Sequence, residues 1–337
     1  MIQSVVHIVD DASWGGVNRL LACFEKAPEG FVHDHHKIMR IDRGLKMSPL
    51  IEADVIVSHM SVCWKNIPFF TSLRATHPET PLVHVEHSYS ERFAALKVGN
   101  RARFEDLMRL AYALFDKVVA VSRPQAAWIQ RRGYADSDQL VSISSCVSLA
   151  AFEAVAYQRQ DGPVTIGAIG RFHEQKGFDI LVEAFVLAAR ANARLLLVGD
   201  GPDRDLLVSK AKGHPQISFM PYTANPAMAL AMCDVIAMPS RWEPYGLVAL
   251  EAMAAKRPVI CSNFDGLKQH VSNGAVPIAE NTVAGWYEQI AKLGTHEAVD
   301  RLGLGTGHVS AEWNFLHAWN KLVHELTYFK ASTQKAA

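Results

Sequence analysis

The chain has 337 residues, 49% hydrophobic and 20% charged, the balance of a soluble globular protein with enough length for one large domain or two ordinary ones. Its 34 Lys and Arg equal its 34 Asp and Glu, so no basic excess points to nucleic acid. The five cysteines, Cys23, Cys63, Cys146, Cys233 and Cys261, are scattered without a CxxC pair, which argues against a disulfide framework or zinc site and for reduced thiols in a cytoplasmic setting.

Met1-Ile-Gln-Ser-Val-Val-His-Ile-Val9 lacks a basic n-region and a small-residue cleavage site, and it meets Asp10-Asp11 too soon for a signal peptide; it reads as a buried strand. Further strands are predicted at Ile38–Ile41, Val55–Ser58, Leu82–Val85 and Val118–Val121, with another at Leu140. The second half offers Val164–Ile169, Leu195–Val198, Ile217–Met220, Val235–Met238 and Val259–Cys261. Helical patterns lie between them, among them Val17–Phe24, Phe178–Ala189, Pro226–Met232 and Leu247–Ala255. This alternation implies parallel sheets with crossover helices. A polar stretch at 157–163, ending in Gly-Pro, marks a domain boundary. The expectation is a first Rossmann-like domain over 1–157, a second over 158–309, and a helix over 310–330 that returns toward the first. Two such sheets would face a central cleft bounded by the carboxyl ends of their strands. The tail after Phe329 reads as frayed, and nothing approaches the ~20 apolar residues of a membrane span.

Residues 239 to 251 read Pro-Ser-Arg-Trp-Glu-Pro-Tyr-Gly-Leu-Val-Ala-Leu-Glu. Glu243 and Glu251 bracket a turn that opens a helix, and the strand Val235–Met238 feeds that turn. A strand–turn–helix junction aims unpaired backbone N–H groups and the positive helix end at one point, which suits a phosphate. The carboxylates can accept hydroxyls, so a nucleotide-sugar fits. A helix starting near Tyr245 would place Glu251 about six residues in, roughly 9 Å along the axis. The bland reading of Glu251 is a solvated helical face, although Leu250, Ala252 and Met253 surround it with apolar residues.

Gly170-Arg-Phe-His-Glu-Gln-Lys-Gly177 follows a strand and leads into a helix, and its Arg171 and Lys176 are the usual partners of phosphate. Gly15 and Gly16, between the first strand and helix, allow close backbone approach to a phosphate. Neither the GxGxxG fingerprint nor a Walker loop is present. Gly199-Asp-Gly-Pro202 is either an ordinary turn or part of a base pocket. His84-Val-Glu-His-Ser88 lies at the end of a predicted strand, and His87 would face the cleft if the strand ends there. His33-Asp-His-His36 lies in a polar connection without other ligands, and Asp136-Ser-Asp138 reads as a turn before a strand; neither is taken as a metal site.

Together these residues resemble the retaining nucleotide-sugar glycosyltransferases of family four, which have the two-domain GT-B fold. The likeness runs through Gly170-Arg171, Lys176-Gly177, Gly199–Pro202, Pro239-Ser240, Glu243–Gly246, Glu251–Met253 and Pro258–Ile260, and extends less strongly to Gly15-Gly16, His87 and Val121-Ser122. It departs at Ser145-Cys-Val-Ser148, where the family has Asn-Gly-Val-Asp, and at Asp265-Gly-Leu-Lys-Gln269, where Gly-Gly-x-x-Glu is common. The resemblance implies that Arg171 and Lys176 hold the donor diphosphate. It also implies that Glu243 with Tyr245, Gly246 and Leu247 holds the sugar and distal phosphate, and that Glu251 binds the ribose. The base would lie near Met220 and Tyr222, Gly16 would approach the phosphate or sugar, and His87 would contact the sugar near the reacting carbon. No metal or other cofactor is expected.

The expected activity is transfer of a hexose from a UDP- or GDP-sugar to an acceptor hydroxyl, in bacterial-type polysaccharide, lipopolysaccharide or glycolipid synthesis. Arg171, Lys176, Glu243 and His87 are the candidate catalytic residues. A sugar-nucleotide epimerase of similar fold and a non-catalytic nucleotide-sugar-binding subunit are the alternatives. The acceptor would be a saccharide or another, lipid-linked acceptor. Residues 92–110 carry five basic residues among apolar ones, which suits either a helix packed on the domain or peripheral contact with an anionic membrane.

Overall fold

A computed structural model describes residues 2–10, 15–25, 34–156, 162–188, 192–223 and 225–334. Two compact units form, one from Met1–Ser148 with Ser310–Ala337, the other from Leu149–Val309.

In the first unit, strands β1 (Ser4–Val9), β2 (His35–Arg40), β3 (Val55–Ser58), β4 (Leu82–Glu86), β5 (Lys117–Ala120) and β6 (Leu140–Ser142) form one sheet in the order β2-β1-β3-β4-β5-β6. Every pairing is parallel. β3 and β4 are buried on both faces, which is why they read as unbroken apolar runs, whereas the edge strand β2 alternates with exposed positions. β2 starts at His35, earlier than the predicted Ile38, because the polar His35-His36-Lys37 segment pairs along β1.

Crossover helices are started by short polar side chains. Ser90 accepts from the Phe93 N–H, Asn100 from Arg103 and Ser122 from Gln125. The segment 92–110 is therefore two helices, Glu91–Lys97 and Arg101–Tyr112, parted by the extended Val98. Phe69, Phe70, Met108, Tyr112, Phe115 and Trp128 fill the core. The C-terminal helix Ala311–Gln334 buries Phe315, Leu316, Trp319, Leu322 and Val323, a single stripe at helical spacing. Its Phe315 and Trp319 rings lie 5.3 and 5.8 Å from Phe24 of helix Gly16–Glu25.

The second unit repeats the plan. Strands β7 (Val164–Ile169), β8 (Ala193–Val198), β9 (Ile217–Met220), β10 (Val235–Met238), β11 (Val259–Cys261) and β12 (Val276–Pro277) take the order β12-β11-β10-β7-β8-β9, all parallel. The unit begins ahead of the polar 157–163 stretch because Phe152 is buried and Arg257 reaches the Ala156 carbonyl at 3.5 Å. Residues 157–161 of that stretch lie outside the described residues. Its core gathers Phe172, Phe185, Leu195, Ile260 and Trp286. The chain leaves β7 toward β8 on one side while β10 pairs on the other. The loops after β7 and β10 therefore sit side by side at a topological switch point, the place where such sheets bind ligands.

All five cysteines are free thiols. No described helix is long and apolar enough to cross a membrane.

Candidate functional site

The loop after β7 ends in a 3-10 turn, Glu174–Lys176, started by His173 Nδ1, which accepts from the Gln175 N–H at 3.1 Å. Gly177 follows at φ 65°, and a Cβ there would lie 2.1 Å from the Pro239 carbonyl oxygen. Only glycine lets the two loops approach so closely. Across this contact the Lys176 Nζ meets the Glu243 Oε2 at 2.5 Å, and Ser240 Oγ donates to the same oxygen at 3.2 Å. Glu243 is buried, and its own N–H donates to Asp265 Oδ2 at 3.3 Å.

A second bond system ties the loops from outside. Arg241 forms a two-pronged pair with Asp179, at 2.8 and 2.6 Å, and donates to the Glu174 carbonyl at 2.8 Å. The Arg241 N–H donates to the Gln175 carbonyl at 2.8 Å. Burial acts to raise the Asp179 carboxyl, but the hydrogen bonds and charge of Arg241 win and hold it below the ordinary value. A depressed carboxylate stabilises the fold above its unfolded pKa, about 3.9, and that stabilisation is lost as pH falls through the folded value. Asp179→Asn is therefore expected to cost about 1.5–3 kcal/mol at pH 7. The gap from the unsubstituted protein should narrow below about pH 3.9 in urea unfolding curves. A gap that stays constant down to pH 2 would show that the pair contributes nothing through its charge.

Gly246 sits at φ 96° and opens helix Leu247–Ala254. This left-handed residue cannot belong to the helix, so the helix begins two residues later than the predicted Tyr245. Glu251 is then about 6 Å along the axis rather than 9 Å. Glu251 is buried, which removes the reading of a solvated helical face. Tyr245 is buried with its ring edge against His270 at 4.7 Å, while Leu247 is half-buried. Arg171 stands exposed in the same β7 loop and makes no ion pair among the described residues. The Gly199–Pro202 turn braces that loop, since Phe172 N–H donates to Asp200 O at 2.8 Å and Asp203 N–H to Phe172 O at 3.0 Å. Met220 ends β9 half-buried, with its carbonyl accepting from Gly199 N–H at 3.0 Å, and Tyr222 is 59% exposed.

The second unit thus brings Lys176, on the β7 loop with Arg171, against the turn after β10 that carries Glu243, Tyr245, Gly246 and Leu247. Lys176 and Glu243, assigned from sequence to phosphate and sugar separately, are bonded to each other. The ammonium keeps two further donors, and the free guanidinium adds a planar fork. Sequence reasoning missed Asp179, Ser240, Arg241 and Asp265 as a supporting frame. An acid in the first turn of a helix was the one visible signal for Asp179.

Gly15, Gly16 and His87 belong to the first unit. Gly15 O accepts from Arg19 N–H at 3.2 Å and Gly16 begins its helix, while residues 11–14 of the predicted glycine turn lie outside the described residues. His87 follows the last residue of β4, on a turn held by buried Glu86, whose Oε1 accepts from Ser88 N–H at 2.7 Å and Tyr89 N–H at 2.9 Å. Tyr112 donates to the other oxygen at 3.0 Å. Burial acts to raise this carboxyl, but the facing His84 and the two backbone donors hold it below the ordinary value.

His87 Nε2 lies 2.8 Å from His59 Nδ1, His59 Nε2 lies 2.9 Å from His7 Nδ1, and His7 Nε2 lies 2.8 Å from His36 Nδ1. His36 thus belongs to a sheet and a histidine chain, not to a polar connection; His33 lies outside the described residues. Asp136 and Asp138 sit in the turn before β6, where Ser137 Oγ donates to Asp138 at 2.9 Å. Among the described residues no three His, Cys, Asp or Glu side chains are grouped to hold a metal ion.

Residues 163–296 match the family described as Glycosyl transferases group 1. The chain is 24% identical to the glycogen synthase of Mycobacterium tuberculosis over 262 residues, 74% of this chain and 60% of that protein. It is 29% identical to the D-inositol 3-phosphate glycosyltransferase of Jonesia denitrificans over 234 residues, 60% of this chain and 54% of that one. The chain therefore spans less than two thirds of the length of these relatives. In fold it is similar to the sucrose-phosphate synthase of Thermosynechococcus elongatus, with a TM-score of 0.68 at 20% identity over 99% of this chain and 100% of that one. It is also similar to Anabaena HepE in complex with UDP and glucose, with a TM-score of 0.65 at 15% identity over 99% and 100%. These neighbours identify the two α/β units as those of the GT-B fold.

Proposed function

We propose that this protein, whose residues 163–296 match the family described as Glycosyl transferases group 1, transfers a hexose from a UDP- or GDP-sugar to an acceptor hydroxyl, with retention at the anomeric carbon. The observation that carries the reading is the joined pair of loops after β7 and β10. They set one oriented ammonium, Lys176, beside the turn of Glu243 that leads to the helix start at Gly246, and Arg171 stands exposed on the same β7 loop. An ammonium and a helix start, with a guanidinium on the same loop, suit a diphosphate and its developing charge as the sugar leaves. Glu243 and the backbone of Tyr245–Leu247 receive the sugar and distal phosphate, and buried Glu251 the ribose hydroxyls. The base lies along the backbone at Met220–Tyr222. In the first unit, Gly15 and Gly16 offer close backbone approach and His87 a ring nitrogen for the sugar.

Retention through a covalent intermediate needs a carboxylate nucleophile. Glu243 is a poor one, because its Oε2 is occupied by both Lys176 and Ser240. A same-face path fits better: the acceptor proton passes to the leaving phosphate while Arg171, Lys176 and the helix end hold its charge. In this reading the two cations and the helix end take the part of a metal, and none is expected. HepE, whose solved complex carries UDP and glucose, supports the choice of donor class.

A thermal-shift series with UDP, GDP, ADP and their sugars tests the donor site. One nucleoside diphosphate should raise the melting temperature of the unsubstituted protein and not of Arg171→Ala. No shift with any of them would overturn the assignment.

The acceptor is a saccharide or lipid-linked sugar in polysaccharide, lipopolysaccharide or glycolipid synthesis. Helix Glu91–Lys97 buries none of its residues and exposes Leu96 at 47%, beside Arg92 and Lys97. It is suited to rest on an anionic leaflet. The protein should sediment with phosphatidylglycerol vesicles at low salt and be released at high salt. Absence of binding at low salt would remove membrane contact from this reading.

A further inference from the structure

Four histidines, His36 and His7 on β2 and β1 and His59 and His87 just past the ends of β3 and β4, form one unbroken line across four adjacent strands. His7 is level with Val57, two residues before His59, and Val57 is level with Val83, four before His87. His36 is level with Val5, two residues before His7. Each strand thus contributes its histidine two positions further toward the carboxyl edge than its neighbour. All four side chains share a face of the sheet, because parallel partners and residues two apart do so. Ring centroids step by 5.1 Å throughout. Phe24 stacks on His36 at 4.2 Å, and the edge of Trp319 meets His7 at 5.9 Å, so apolar rings cover the line.

Proton counting decides what such a line can do. Four rings have eight nitrogens; six make the three links, and two are ends, His36 Nε2 and His87 Nδ1. Each link needs one proton. Four neutral rings carry four, so the three links are filled and one proton is left for one end. Only two registers satisfy every link: N–H on Nδ1 of all four rings, or on Nε2 of all four. A shift from the first to the second passes each of the three link protons across its link, releases the proton of His87 Nδ1 to solvent or ligand and takes one up from solvent at His36 Nε2.

The two ends differ. His36 Nε2 is buried without a hydrogen-bond partner, whereas His87 is half-buried at the carboxyl edge. Among buried backbone groups an orphan donor is rarer than an under-satisfied acceptor, and the ring nitrogens are read in the same order. The register that leaves His36 Nε2 a bare lone pair is therefore the resting one.

We propose that His36, His7 and His59 are positioning residues that hold His87 in its Nδ1–H form, so that His87 presents a proton, not a lone pair, at the edge of the sheet. The partner is an oxygen acceptor, a hydroxyl or phosphate oxygen, and a ligand that instead donated to His87 would drive all four tautomers over at once. Only the identification of that oxygen as a substrate atom rests on the proposed function; the register itself does not.

The surroundings keep the line neutral. Burial pushes His7 and His59 well below the ordinary imidazole value, and His36 and His87 to about 4. The titratable groups acting on it are His35 on His36, His84 on His59 and His87, and Glu86, which opposes the fall at His87. The two helices packed over the line present Phe24 and Trp319 to it.

The test is multiple-bond 15N–1H NMR of the full chain labelled on histidine, at pH 7 and without substrate. His7, His36, His59 and His87 should all show a protonated Nδ1 and a bare Nε2, the form that free histidine disfavours. In His36→Phe, which keeps the stacking on Phe24, the buried end passes to His7 Nε2, so His7, His59 and His87 should all keep Nδ1–H. His59→Glu sets an acceptor-only carboxylate in the line beside His87 Nε2, and His87 should then carry a proton on Nε2. A ring whose tautomer is not set by its neighbour would stay as it was. Mixed tautomers along the line in the unsubstituted protein, a uniform Nε2–H line, loss of Nδ1–H at His87 in His36→Phe, or a His87 indifferent to His59→Glu would each overturn the proposal. Sugar transfer is not the readout, so a failed donor assignment would leave these outcomes legible.

Discussion

Replacing both Arg171 and Lys176 with alanine is expected to lower sugar transfer by roughly 10³-fold or more, with most of the loss in kcat. Both cations are read as stabilising the charge that grows on the leaving phosphate, and removing one such donor typically costs about 10²–10³-fold. The two substitutions should nevertheless differ in what else they do. Arg171 is exposed and makes no ion pair among the described residues, so Arg171→Ala should lower activity by about 10²-fold and leave the melting temperature where it was. Lys176 neutralises the buried Glu243, so Lys176→Ala leaves a carboxylate with Ser240 as its remaining side-chain donor. Its effect on activity should come with a loss of stability, and Glu243→Gln in the same chain should restore part of the stability but not the activity. Steady-state kinetics with a matched thermal melt separates the two. Transfer near the unsubstituted rate in the double variant would remove the phosphate clamp.

Gly177→Val should have the largest effect on the fold around the site. The residue sits at φ 65°, where a β-branched side chain is strained, and its Cβ would lie 2.1 Å from the Pro239 carbonyl oxygen. The obstacle is backbone, so it cannot rotate away. The loops after β7 and β10 must part, which pulls Lys176 from Glu243 and the Glu174 and Gln175 carbonyls from Arg241. Strain and overpacking together amount to about 2–4 kcal/mol. For a unit of this size that corresponds to a fall of roughly 5–15 °C in melting temperature. Activity should fall even at temperatures where the protein stays folded, because the cations lose their fixed geometry. Differential scanning calorimetry alongside transfer assays at 15 °C checks both parts. A Gly177→Val protein that melts normally would show that the loops do not need to touch.

Much of this architecture was legible because parallel sheets buried on both faces write themselves as short apolar runs. Val55–Ser58, Val164–Ile169, Ile217–Met220, Val235–Met238 and Val259–Cys261 all form strands with the predicted limits. Legibility failed where polar residues occupy edge strands, as at His35-His36-Lys37, and where a strand is as short as Val276–Pro277. The loops after β7 and β10 were recognisable as strand–turn–helix junctions from the glycines and charges at Gly170–Gly177 and Glu243–Gly246. Their mutual bonding was not, because Lys176 and Glu243 are far apart in the chain and meet only once β7 and β10 pair. Arg241 and Asp179 were missed for the same reason. The histidine line was the least visible feature. Each of its members is one of fifteen histidines in unrelated segments, and only strand order and register bring four of them into contact. The helical pattern predicted from Leu247 starts where the helix does, whereas the start near Tyr245 used to place Glu251 ran early, because backbone handedness at Gly246 sets the boundary.

The central claim is that the loops after β7 and β10 hold a nucleotide-sugar for transfer with retention. The most direct test follows UDP-glucose and GDP-mannose by 1H NMR in the presence of a panel of saccharide acceptors, reading the anomeric coupling of the new linkage. The account predicts that one donor is consumed only when an acceptor is present, and that the product keeps the axial configuration of the donor. An inverted anomer, or a donor altered at its sugar with no acceptor in the tube, would contradict it.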